Sequence, residues 1–220
     1  PKIVTNGLVL ALDAADKKSY PGSGTNWTDL SGNNNTGVLT NGPAFNSLNG
    51  GSIVFDGVDD YVAPSNAINL SNTFTILSWI KTSTLAGGDY IVYGSDANGA
   101  DNWFGINNNA VNLFATEIAD VNNFTLTGGT IASTSVWYFI GATVNINTVK
   151  VYLNGNEQNS VVKAFTIGAW NSISNSIGRR ANLSQRYFPG NIANVIVYNR
   201  VLTAAEVLQN YNTTKGRFGF

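Results

Sequence analysis

Apolar and polar residues alternate along short segments of this chain, with turn-forming residues between them at spacings of about ten residues. In Phe74-Thr75-Ile76-Leu77-Ser78-Trp79-Ile80-Lys81, Phe74, Ile76, Ser78 and Ile80 share one face while Leu77 and Trp79 share the other. A strand apolar on both faces reads as central in its sheet. Tyr90-Ile91-Val92-Tyr93, Trp103-Phe104-Gly105-Ile106 and Val111-Asn112-Leu113-Phe114-Ala115 continue the series. Residues 137–144 and 149–153 predict a hairpin around Asn145-Ile146-Asn147-Thr148, and Asn154-Gly155 starts the next tight turn. Toward the N-terminus, the run Leu8-Val9-Leu10-Ala11-Leu12 predicts a first strand. Ser52-Ile53-Val54-Phe55 and Tyr61-Val62 flank a turn at Asp56-Gly57, and residues 192–198 read as the last strand.

Two stretches differ. Residues 27–39 form a long polar connection with Trp27 and Leu30 as its apolar anchors. Thr203-Ala204-Ala205-Glu206 has the spacing of a capping box ahead of Val207, Leu208 and Tyr211, which predicts one short helix packed against a sheet edge. No composition break, linker or repeat divides the chain, so the expected architecture is an all-β, two-sheet sandwich over residues 1–220 as a single domain.

Composition narrows the function. Hydrophobic residues make up 43% of the 220 and charged residues only 11%, against roughly 25% charged in an average soluble domain. The surface is therefore polar without being charged. The formal net charge of −1 lacks the basic excess that phosphate-backbone binding needs, so nucleic acid is not an expected partner. With no cysteine there is no disulfide and no thiol chemistry, and with no histidine neither Ser–His nor imidazole–metal arrangements can be built. No apolar run reaches the length of a membrane span and the N-terminus lacks the charged-then-apolar layout of a secretory signal; a start at Pro1 in a chain with no Met fits an initiator Met removed before proline, or a processed fragment.

Catalysis by carboxylates is poorly supplied. Glu117, Glu157 and Glu206 are the only glutamates and lie far apart, and adjacent residues such as Asp59 and Asp60 point to opposite faces of a strand. The expectation is therefore no enzyme. A hard-cation site is better supplied: Asp13, Asp16, Asp29, Asn33, Asp56, Asp59 and Asp60 crowd the N-terminal quarter. The same residues also cap turns, and Asp56 before Gly57 is read that way, with Asp59 and Asp60 open to either role.

Aromatic side chains offer a third chemistry, because a sugar ring stacks on an exposed aromatic face while loop Asn, Asp and Arg groups bond its hydroxyls. Trp27, Trp79 and Trp137 sit in apolar patterns and are expected in the core. Trp103, Trp170 and Tyr187 have polar neighbours and are expected as exposed contacts, together with the basic cluster Arg179, Arg180 and Arg186.

Read in order, Trp27-Thr28-Asp29-Leu30-Ser31-Gly32-Asn33, residues 51–62, residues 74–80, Val149-Lys150-Val151-Tyr152-Leu153-Asn154-Gly155 and the terminal 190–211 stretch resemble the bacterial and viral branch of the laminin-G-like, concanavalin A-like lectin family. The resemblance implies an antiparallel jelly-roll sandwich and a binding module for glycans. It also implies a calcium site near Asp59 and Asp60 with Asp13 and Asn33 nearby. The chain departs from that pattern at Ala193 and Asn194, where the family often carries acidic residues, which lowers the charge available to calcium. Residues 7–24 and 211–218 resemble tailed-phage virion proteins. That implies a module on the virion surface or otherwise extracellular, bound to glycans or to other virion subunits and able to self-associate. The alternatives are a purely structural decoration protein and a glycan-cleaving enzyme of the same broad fold.

Overall fold

The computed structural model describes residues 2–97, 100–116, 123–163, 170, 174–181 and 185–220. In chain order its strands are Leu8–Asp13 (β1), Asn26–Trp27 (β2), Gly37–Thr40 (β3), Ala44–Asn46 (β4), Ser52–Asp56 (β5), Tyr61–Pro64 (β6), Thr73–Thr82 (β7) and Asp89–Ala97 (β8). Ala100–Asn107 (β9), Ala110–Thr116 (β10), Asn123–Thr130 (β11), Tyr138–Asn145 (β12), Thr148–Leu153 (β13), Asn156–Val162 (β14), Ser174–Ile177 (β15) and Pro189–Tyr198 (β16) follow. One helix, Ala204–Thr214 (α1), closes the chain.

These strands form two antiparallel sheets packed face to face as a jelly-roll sandwich. The first runs β14-β13-β12-β7-β16-β5-β4, with β1 pairing β16 beyond the end of β5. The second runs β11-β10-β9-β8-β15-β6-β3-β2. β7 lies between β12 and β16, as its two apolar faces predict: Phe74, Ile76 and Ile80 point into the core between the sheets, while Leu77 and Trp79 point outward.

The outward face would be costly to expose, and the C-terminus covers it. Val207, Tyr211 and Phe218 pack with Leu77, Trp79, Trp137 and Phe139 in a second apolar cluster. Phe218 stacks on Trp79 at 4.2 Å between ring centroids, and the indole N–H of Trp79 donates to Thr214. The helix therefore lies on a sheet face and not against an edge as expected, because its apolar side meets the outward residues of β7 and β12. Its start follows the sequence signal: Thr203 accepts from the Glu206 backbone N–H at 3.2 Å, and Glu206 accepts from that of Thr203 at 2.8 Å.

Tight turns obey local chemistry. Asn108 and Asn109 take positive φ between β9 and β10, and Asn154 with Gly155 does the same between β13 and β14. The 27–39 connection is less irregular than expected, since it holds β2 and the start of β3. Trp27 is fully buried, but Leu30 is 39% exposed and anchors nothing in the core. What holds this connection is Asp29, whose carboxylate accepts backbone N–H groups from Ala11, Ser31 and Asn35.

Candidate functional site

The β5–β6 turn gathers three carboxylates. Asp56 Oδ1 accepts the backbone N–H groups of Val58, Asp59 and Asp60, and Asp60 Oδ2 accepts that of Asp56 at 3.0 Å. Gly57 permits the turn with φ 77°, and a Cβ there would stand 2.8 Å from Pro189. The result places ligand-capable oxygens of Asp56, Asp59 and Asp60 within 4.8 Å of one another, so this surface cluster could coordinate a divalent ion. Backbone hydrogen bonds, led by that from Val58, hold the Asp56 carboxyl below its ordinary pKa. Burial raises that of Asp60, and the neighbouring charges of Asp56 and Asp59 push the same way.

Asp59 and Asp60 thus come together as the sequence allows, and their third partner is Asp56, which also caps the turn as expected. Asp13 and Asn33 lie elsewhere. Along β16, Asp56 pairs opposite Pro189 and Asp13 opposite Asn194, a separation of five residues or roughly 16 Å. The Asp13 carboxylate is occupied by Arg217, and Asn33 Nδ2 donates to the carbonyl of Leu8.

Of the expected sugar contacts, two are misplaced. Trp103 is 2% exposed and Trp170 fully buried. Trp170 lies between the sheets against Phe74 and Tyr93. Trp103 points away from the inter-sheet core but is stacked on Phe114 at 5.8 Å, and the guanidinium of Arg186 lies 6.0 Å above its ring. Neither presents a face to a ligand: polar sequence neighbours report on strand ends, not on what the fold lays over the ring.

Residues 178–181 and 185–188 lie along the outer face of the second sheet. The N–H of Gly178 donates to Val92, that of Arg180 to Gln185, that of Ile91 to Arg186, and that of Phe188 to Gly178. Ser176 Oγ donates to the carbonyl of Arg179 at 2.8 Å, and Gly94 is required beneath, where a Cβ would stand 2.7 Å from that oxygen. Arg186 pairs with Asp89 at 2.9 Å. Arg179 lays its guanidinium 3.6 Å from the ring centre of Tyr61, while Arg180 and Tyr187 are half-buried.

Beside Arg179 opens a polar cleft of about 250 Å³, walled by Tyr61, Ser65, Asn66, Asn175 and Arg179. Its rim is fixed: Ser65 Oγ and Asn66 Nδ2 both donate to the Asn34 carbonyl, and the Ile68 N–H donates to Asn175 Oδ1 at 2.7 Å. Tyr61, Asn66 and Asn175 were not singled out in the sequence. The available signal was Tyr61 preceding the inward Val62, which turns the tyrosine outward by simple alternation. A larger, mostly apolar groove of about 450 Å³ lies on the outer face of the first sheet, among Leu8, Ala11, Leu30, Ile196 and Thr213.

Outside the acidic turn, four carboxylates are held in ion pairs: Asp13 with Arg217, Asp89 with Arg186, Glu157 with Lys150 and Glu206 with Arg200. Glu117 lies outside the described residues. Residues 56–208 match the family model Laminin_G_3 of the concanavalin A-like lectin/glucanases superfamily. The chain belongs to the concanavalin A-like lectin/glucanases superfamily.

The fold recurs in toxin domains and in one domain of an arabinanase. The binding domain of Paraclostridial Mosquitocidal Protein 1 superposes with a TM-score of 0.76 at 18% identity, over 95% of this chain and 52% of that one. The receptor binding domain of botulinum neurotoxin D gives 0.74 at 16% identity, over 95% and 53%. This chain thus spans about half the length of those toxin domains. Domain 4 of AbnA, an extracellular arabinanase of Geobacillus stearothermophilus solved with arabinotriose, gives 0.70 at 20% identity over 93% and 98%. At these identities the likeness is one of fold. No curated protein matches the chain in sequence. Among the described residues, no helix is long and apolar enough to cross a membrane.

Proposed function

We propose that this chain is a non-catalytic, lectin-like module that binds glycans from an exposed surface, that of a phage particle or another extracellular one. The observation that carries this reading is that residues 178–181 and 185–188 are tied by main-chain hydrogen bonds at Gly178, Arg180, Arg186 and Phe188. A backbone held this way offers Arg179, Arg180, Arg186 and Tyr187 to a ligand with little ordering cost. The whole-module likeness to an arabinanase domain solved with arabinotriose supports carbohydrate as the ligand class, as does a botulinum neurotoxin D domain solved with N-acetylneuraminic acid. Calcium in the Asp56, Asp59 and Asp60 turn would be a structural ion that stiffens the β5–β6 connection beside this segment.

A glycan array probed with the purified chain, with and without calcium, tests the reading. Retention on a defined glycan set, weakened by Arg180→Ala with Tyr187→Ala, is the expected result. A silent array would instead favour a decoration subunit that contacts other virion proteins.

A further inference from the structure

We infer that the cleft between residues 61–67 and β15 is the sugar subsite and that it takes a single ring of a neutral glycan. This rests on the glycan-binding reading and adds its place and ligand class. At about 250 Å³ the cleft is smaller than the roughly 300 Å³ at which pockets for drug-sized ligands begin, which suits one ring and not a chain. Its flat wall is the Arg179–Tyr61 stack, with the guanidinium 3.6 Å from the ring centre. Its polar groups are amides and a hydroxyl, from Asn66, Asn175 and Ser65, the donor and acceptor types that match sugar hydroxyls.

A fixed rim makes it more than a surface dent. The rim is held by the bonds of Ser65 and Asn66 to Asn34 and of Ile68 to Asn175, so the walls stand ready before a ligand arrives. Asn175 is 8% exposed and its side chain is braced from behind by the buried Tyr93 hydroxyl, which keeps that wall in place.

Charge selects the ligand class. Asp59 and Asp60 immediately precede Tyr61, and the Asp60 carbonyl oxygen is 3.5 Å from where a Gly178 Cβ would stand, next to Arg179 in sequence. These carboxylates lie within a Debye length of the cleft and offset the Arg179 charge, so a carboxylated sugar gains no net attraction. Neutral rings are favoured.

The experiment is an array of neutral and sialylated oligosaccharides that includes arabinotriose and N-acetylneuraminic acid, probed with the unaltered chain, Tyr61→Ala and Ala63→Leu. Ala63 lines the cleft on a strand whose neighbour Val62 faces the core, so the leucine fills the cleft without touching that core. The expected result is binding of neutral glycans that falls at least ten-fold in both variants, with circular dichroism unchanged. If Tyr61→Ala unfolds, Ala63→Leu alone decides. Neutral binding undiminished in a folded Ala63→Leu, or a preference for sialylated ligands, overturns the subsite while leaving glycan binding intact. Silence of the unaltered chain overturns both.

Discussion

Arg217 Nη1 donates to both carboxylate oxygens of Asp13, at 2.9 and 3.0 Å, across 204 positions of sequence. The same guanidinium donates to the Gly51 carbonyl, and the Arg217 carbonyl accepts from Asn49, so the C-terminus is fastened across the first sheet where Phe218 covers Trp79. Arg217→Ala is expected to cost about 1–2 kcal/mol in chemical denaturation, since it leaves charged and polar partners unpaired. Asp13→Asn should cost about 1 kcal/mol and leave any calcium response unchanged. A calcium response abolished by Asp13→Asn would show that the acidic turn is not a self-contained site.

Trp103 and Trp170 are both buried, the first beneath its outer-face cover and the second between the sheets. Each alanine substitution is expected to destabilise the protein by about 3–5 kcal/mol, the range for a buried aromatic. Urea titration of Trp103→Ala decides it, and a loss under about 1 kcal/mol would mean that its outer-face cover contributes little.

The acidic turn separates two roles. Asp56 caps three backbone N–H groups, so Asp56→Ala should lower stability by about 1–2 kcal/mol even without metal. Asp59 is exposed, and Asp59→Asn should leave the metal-free melting temperature in place while removing any rise on adding calcium. Thermal scans of both variants across a calcium series read the difference.

Glu206 serves the capping box and pairs with Arg200 at 2.5 Å, and the Arg200 guanidinium, aided by Thr203, holds its pKa at about 2. The folded-state pKa is depressed, so the stability this contributes is complete above the ordinary carboxylate range and is lost as pH falls toward about 2. Glu206→Gln should flatten the acid limb of the stability profile over that interval. An unchanged limb would mean that the pair persists in the unfolded chain.

Ile146 sits at φ 59° in the turn between β12 and β13, a left-handed conformation disfavoured for a β-branched residue, and its side chain is 49% exposed. Ile146→Gly should therefore stabilise the hairpin by about 0.5–1 kcal/mol, read as a higher denaturation midpoint.

What was legible in the sequence is what short-range physics encodes. The two apolar faces of residues 74–81 mark the strand that lies between β12 and β16, because alternation of side chains is a property of the strand itself. Thr203 and Glu206 fixed the helix start because a capping box is closed within four residues. Asp56 was legible as a turn cap for the same reason. The 123–130 strand was not read, since its alternation is broken at Gly128 and Gly129 where it meets β13 and β14.

The sequence by itself determined the class of fold, the central strand and the lack of histidine and cysteine chemistry, all set by local periodicity and composition. Tertiary structure alone decided which aromatic rings stay uncovered and which carboxylates share a site. Arg186 lies over Trp103, Arg179 stacks on Tyr61, and Asp13 is taken by Arg217 instead of joining Asp59 and Asp60. Each is a pairing between segments remote in the chain, and such pairings are selected by how two sheets stack and where loops cross them, not by any pattern within one strand.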